Sequence, residues 1–417
     1  MKQASVLSVL AFVVLSSTVP PAAGGPLQKG TAAYRSGDFQ KAIRYWQPLA
    51  DKGDAAAQYN LGALYEYGEG VTRDEKRAAE WYRKAAEQGY AAAQYGLAGM
   101  YRDGRGMAPD PVRAAGWYRK AAESGNTGAQ YQLAGMLERG EGLRLDEMSA
   151  ALWYLRAAEQ GEAKAQFSLG GLYKDGRGVP KDPAKAASWY RKAAEQGVAA
   201  AQYNLGAMYV MGMGVPQDPA QALVWLRSAA NQGHVLAQSH LGTLYSSGRG
   251  APRNDAEAVV WYRRAAEAGN ALAQNNLAAM YALGRGVAQN ADLAAEWYRR
   301  AAEQGLAAAQ LTLAGLYRMG KGGVPQDDGQ AVNWLRKAAA QGNAAARYGL
   351  GEMYEYGLGV EADLRQAYIL YSLAAGAGNE NAARNRERLA GELGAGDLVE
   401  AQRAISSWQE TPATVEP

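Results

Sequence analysis

A 36-residue period runs through most of this chain and decides what it can fold into. The stretch from Ala55 to Tyr90 reads AAAQYNLGALYEYGEGVTRDEKRAAEWYRKAAEQGY, restarts at Ala91 and keeps its register to Asn379. Trp81 is followed at steps of 36 by Trp117, Trp153, Trp189, Trp225, Trp261 and Trp297. Trp334 comes 37 later, because the doubled Gly322-Gly323 lengthens that loop by one residue. Leu61 recurs as Leu97, Leu133, Leu169, Leu205, Leu241, Leu277, Leu313 and Leu350, and Gly89 recurs through to Gly378, which makes nine repeats. Such a unit cannot bury its apolar face alone and becomes stable by stacking on its neighbours.

Each repeat holds two segments of helical period around a Gly-x-Gly loop. In the first segment, helix A, Ala57, Leu61, Leu64 and Tyr65 fall at spacings of three and four on one stripe. Gly62 leaves a spot where another helix can approach closely. In the second, helix B, Ala78, Trp81, Tyr82, Ala85 and Ala86 form an equivalent stripe, with the Trp ring as the large insert among small residues. Asp110-Pro111, Asp182-Pro183 and Asp218-Pro219 place a capping carboxylate before a proline at the first helical position. Gly89 and its equivalents sit where a helix end favours a left-handed backbone.

The pattern A-x-x-x-L-G-x-x-Y-x-x-G-x-G-V-x-x-D-x-x-x-A-x-x-W-Y-x-x-A-A-x-x-G over residues 55–379 resembles the Sel1-like repeat family, a longer-looped relative of the tetratricopeptide repeat. Leu137 departs from the helix-A tyrosine and Leu370 from the helix-B tryptophan. The resemblance implies an all-α solenoid of stacked antiparallel helix pairs, wound as a right-handed superhelix with helix A lining the inner face. It also implies that helix-A positions 2, 5, 9, 12 and 13 point into the groove.

Those positions place aromatics along the groove floor at Tyr59, Tyr95, Tyr131, Phe167, Tyr203 and Tyr348. Repeats two to four carry charge at positions 12 and 13, as Arg102, Asp103, Glu138, Arg139, Lys174 and Asp175. Repeats five, seven and eight instead place Val210, Met211, Leu272, Leu283, Leu311 and Met319 on that face. A Met/Leu patch beside small residues suits docking of a peptide or helix. The competing reading packs some of these side chains against neighbouring helices A.

The flanks differ from the array. Lys2 precedes an apolar run from Val6 to Leu15 and a stretch of Ser, Thr, Pro and small residues, so residues 1–24 read as a secretory signal peptide. The run is too short for a membrane span of roughly 20 apolar residues. Residues 25–54 look like a shorter, tetratricopeptide-like helix pair around Tyr34, Gly37, Asp38, Ala42 and Trp46, partly a cap. Residues 380–408 read as capping helices, and 409–417 as a disordered tail. Although 417 residues ordinarily suggest two or three domains, the repeats argue for one array.

Composition excludes several functions. There is no cysteine, hence no disulfide, thiol nucleophile or thiolate zinc site. A net charge of +3 is small for this length and argues against a polyanion-binding surface. Arg83-Lys84 and their equivalents could form a nucleic-acid stripe, but Glu87, Glu123, Glu195, Glu267 and Glu303 follow at i+4 and suggest a solvated, self-paired face. Gly68-Glu69-Gly70 lacks the preceding strand of a phosphate loop. His234 and His240, six apart, do not share a helical face as zinc-binding histidines do, and read as a surface residue and a polar helix-A position. No serine sits in a nucleophile elbow.

The sequence therefore reads as a non-enzymatic scaffold without cofactor, metal, nucleic acid or stable membrane insertion. It is expected to act as a monomer in the periplasm or outside the cell and to bind a protein or peptide in the helix-A groove. By the family resemblance, the alternatives are polysaccharide binding or exopolysaccharide assembly and, further off, a cell-wall or β-lactam-active enzyme.

Overall fold

A computed structural model describes residues 24–408. The signal-peptide reading and the tail at 409–417 fall essentially outside them. All regular elements among the described residues are α-helices, from Pro26–Arg35 and Phe39–Asp51 to Glu380–Glu392 and Ala395–Ser406. They form stacked antiparallel pairs. The chain divides into two compact units, one reaching Ala201 and taking in Met213–Pro216, the other comprising Gln202–Gly212 and the chain from Gln217.

The first full repeat shows how local chemistry sets each element. Asp54 caps helix A, Ala55–Tyr67, by accepting from the Ala57 N–H at 2.8 Å. Gly68 ends that helix in the left-handed region at φ +73°. Asp74 caps helix B, Glu75–Glu87, by accepting from the Lys76 and Arg77 N–H groups. The expected Asp-Pro starts are found at Pro111, Pro183 and Pro219, where Asp110, Asp182 and Asp218 each accept a backbone N–H. Between the helices lie Leu61, Leu64, Ala78, Ala85 and Ala86, all buried. Each leucine so buried contributes about 1.5–3 kcal/mol.

The large insert between the helices is a tyrosine, not the tryptophan. Tyr82 is buried against Gly62, where an added Cβ would lie 2.7 Å from its ring. Gly170 admits Tyr190 and Gly351 admits Tyr371 in the same way. Trp81 is only half-buried, and the Lys84 ammonium lies over its ring at 4.2 Å from the centroid. Lys120, Arg156, Lys192, Arg300 and Lys337 cover Trp117, Trp153, Trp189, Trp297 and Trp334 likewise. The spacing puts both aromatic positions on one stripe, but in the first repeat it is Tyr82 that enters the indentation left by Gly62.

A ladder of buried glutamines ties consecutive repeats together. The Gln58 amide donates to the Ala50 carbonyl at 3.0 Å, and its oxygen accepts from Gln88 at 2.8 Å. Gln130 and Gln160, Gln166 and Gln196, and Gln274 and Gln304 repeat the arrangement. In the second repeat Ser124 stands where six of the nine repeats from Ala55 on carry the second glutamine, and the buried Gln94 Oε1 has no hydrogen-bond partner. Ser124→Gln is expected to supply that donor and stabilise the protein by about 1 kcal/mol. The check is the urea midpoint followed by circular dichroism, which should rise; an unchanged or lower midpoint would show that the ladder adds nothing there.

Candidate docking face

In the first unit the helix-A face neutralises itself. Arg102 grips Asp103 at 2.7 Å and Lys174 pairs with Asp175 at 3.6 Å. Glu66 is buried and accepts from the Tyr82 hydroxyl at 2.6 Å, while Arg105 of the following Gly-x-Gly loop closes on its other oxygen. Glu138 is held in the same way by Tyr154 at 2.8 Å and by Arg177. Burial first, and the adjacent Glu66 next, push the Tyr82 phenol well above its ordinary pKa. Glu138, expected to carry charge in the groove, is paired and joins one repeat to the next.

The aromatics at position 5 stand against the helix-B tyrosines. Tyr95, Tyr131 and Phe167 lie 5.6–5.7 Å, ring centre to ring centre, from Tyr118, Tyr154 and Tyr190. Tyr95 is exposed; Tyr131 and Phe167 are half-buried. Tyr59 departs from the groove expectation. It is 6% exposed, wedged between Tyr82 and Tyr90, because Tyr90 at the start of the next helix A covers it.

In the second unit Tyr203 faces no helix-B tyrosine, since Leu226 occupies that position. Two histidines, one capping the next helix A and one within it, hold its ring instead. His234 stacks on it at 4.7 Å and His240 leans on it at 5.4 Å. His234 also caps its helix, its Nδ1 accepting the Ala237 N–H at 3.3 Å. Burial lowers the pKa of both imidazoles, which favours the neutral form that this cap needs. His234 is thus a helix cap rather than the simple surface residue expected. Among the described residues no group of three or more His, Asp or Glu side chains could hold a metal ion, and no helix is long and apolar enough to cross a membrane.

The apolar residues divide into two groups. Met211 is 59% exposed, Leu272 49%, Leu283 65% and Met319 56%, so the expected Met/Leu patch has four members free of the core. Val210 and Leu311 are half-buried against the hydrophobic clusters and belong to the packing between helices. Tyr348 is half-buried, 5.6 Å from Tyr371. Leu236, 40% exposed, joins the patch although the sequence reading passed over it. Its register equals that of Leu272, which was the available signal.

Three helix-B arginines find partners other than the glutamates at i+4. Arg83, Arg263 and Arg336 donate to Tyr101, Tyr281 and Tyr354 of the following repeat, at 3.4, 2.9 and 2.9 Å. A tyrosine hydroxyl one repeat away thus takes up a guanidinium that a linear reading assigned to the next helical turn.

Stacked antiparallel helix pairs with an extended side-chain face define a helical-repeat protein. The Sel1 repeat family model matches residues 26–54, 55–90, 91–126, 127–162, 163–198, 199–234, 235–270, 271–306, 307–343 and 344–379. The chain belongs to the Sel1 repeat family, and it carries ten repeats rather than nine, since the N-terminal pair at 26–54 precedes the nine numbered from Ala55. A protective antigen present in uropathogenic Escherichia coli strains is similar to it at 35% identity, over 93% of this chain and 92% of that one, with a TM-score of 0.66. A Sel1 repeat protein from Oxalobacter formigenes is 33% identical, over 82% of this chain and 99% of that one, with a TM-score of 0.59. The DAP3-binding cell death enhancer 1 proteins of rat and mouse match at 44% identity over 45 residues, which is 11% of this chain and 9% of theirs. Sel1 repeats are generally non-catalytic scaffolds that mediate protein–protein binding.

Proposed function

We propose that this chain is a non-enzymatic adaptor of the bacterial cell envelope that docks a protein or peptide segment on the helix-A face of repeats five to eight. The observation that carries the reading is the set Met211, Leu272, Leu283 and Met319. Met211, Leu283 and Met319 stand in water at the same register, the last residue of helix A, and Leu272 stands exposed near the start of its helix A, whereas the first unit carries mutually paired charges at the ends of its helices A. Contiguous apolar exposure on a folded surface commonly marks an interaction site. The envelope assignment rests on the Lys2–Leu15 segment.

The test is a pull-down from the native cell with the wild type and with Met211→Asp/Leu283→Asp. Both side chains are exposed, so circular dichroism should be unchanged. Two charges buried without partners at an interface should weaken capture by several kcal/mol. Undiminished capture by the folded double variant moves the site elsewhere, as does specific retention of an oligosaccharide in place of a protein. N-terminal sequencing of the recovered chain checks the export reading, which an intact Met1 contradicts.

A further inference from the structure

We infer that the segment docked on the helix-A face of repeats five to eight is acidic as well as apolar, an inference that rests on the docking reading above. It starts from a contact rule established elsewhere in the fold. The residue between the two glycines of a Gly-x-Gly loop, when it is arginine, reaches back 39 positions to helix A of the preceding repeat. Arg105 finds Glu66 there and Arg177 finds Glu138. Arg285 finds Ser246 and takes its Coulombic partner, Asp255, from helix B at 2.9 Å.

At two places the rule supplies a cation without a carboxylate. Arg249 lies between Gly248 and Gly250, and 39 positions before it stands Val210. Lys321 lies between Gly320 and Gly322, and 39 positions before it stands Ala282. Both cations are exposed, and neither has an ion pair among the described residues. Lys321 follows Met319 in the eighth repeat, and Arg249, in the sixth, reaches by this register to Val210, next to Met211 at the end of the fifth repeat's helix A. Nor do the helices offer a substitute. Ala199–Met211, Val235–Ser247, Ala271–Leu283 and Ala307–Met319 contain no Asp or Glu. The one arginine among them, Arg318, is taken by Glu352 at 3.3 Å.

The face therefore offers apolar side chains beside two cations that lack the carboxylates their register supplies elsewhere. Asn204, Asn275 and Asn276 lie half-buried on the same face and can donate to and accept from a peptide backbone. A partner that places Asp or Glu beside Leu, Met or similar residues satisfies all three features. A basic partner would bring like charges against Arg249 and Lys321.

The experiment uses the full chain and fluorescence anisotropy with three labelled peptides. One mixes acidic and apolar residues, a second replaces its acids by lysine, and a third replaces its apolar residues by serine. The first should bind tightest and lose affinity with added salt. Arg249→Glu/Lys321→Glu should weaken it about tenfold and improve the lysine peptide. Equal binding of the acidic and lysine peptides to the wild type, or an acidic affinity untouched by that double charge reversal, overturns the acidic partner. The docking face itself still stands in that case if Met211→Asp/Leu283→Asp abolishes binding of both. If Met211→Asp/Leu283→Asp changes no affinity, or if none of the peptides binds, the docking reading falls and this inference falls with it. Circular dichroism of each variant confirms the fold.

Discussion

Tyr190→Ala is expected to destabilise the protein by about 3–5 kcal/mol, and its neighbour Trp189→Ala by roughly half of that. Tyr190 is 1% exposed and fills the indentation that Gly170 leaves in helix A, with Phe167 5.7 Å away on the same helix. Removing the ring opens a cavity between the two helices, because the atoms nearest Gly170 are those of the ring itself. Trp189 lies half-buried on the outer side, under the Lys192 ammonium at 3.9 Å. Its loss forfeits a cation–π contact and part of a hydrophobic surface, but water can occupy the space. Urea unfolding followed by circular dichroism separates the two. In an array coupled between neighbours, the Tyr190 variant should show an added early transition rather than a uniform shift. A larger loss for Trp189→Ala would return the tryptophan to the role that its periodicity suggested.

Gly178→Ala should cost about 3 kcal/mol or more, the sum of two penalties. The residue has φ +65°, a backbone state in which a non-glycine residue costs about 1–3 kcal/mol. An added Cβ would also collide with the Glu147 carbonyl at the start of the preceding helix B, and overpacking of that kind costs a further 1–3 kcal/mol. Gly197→Ala is the control. Its φ is +88° and nothing lies within 4 Å of the added Cβ, so it bears the backbone penalty alone. The two variants should therefore differ in their urea midpoints, with Gly178→Ala the lower. Equal midpoints would show that the loop does not press on the preceding repeat.

Much of this was legible in the sequence where the backbone itself dictates residue type. Asp110, Asp182 and Asp218 before proline announced helix starts, and the glycine pairs announced the loops. Other features depend on what lies opposite. Trp81 and Tyr82 fall on one stripe by spacing, and which of them enters depends on the surface that helix A presents opposite. Glu138 reads as a charge in the groove because its partner, Arg177, is 39 residues away. The glutamine ladder left a plain recurrence from Gln58 onward, yet hydropathy carries no information about amides that bond 30 residues apart. In the candidate face, Met211 and Leu283 were legible because the end of helix A is exposed. Tyr59 was not, since Tyr90, the cap of the next helix A, covers it.

The central claim, that the helix-A face of repeats five to eight receives the partner, is tested most directly by hydrogen–deuterium exchange of the chain with and without its captured partner. The account predicts slowed exchange at the C-terminal ends of Ala199–Met211, Ala271–Leu283 and Ala307–Met319 and in the loops holding Arg249 and Lys321, with helices B unchanged. Protection confined to helices B, or to repeats one to four, would contradict it.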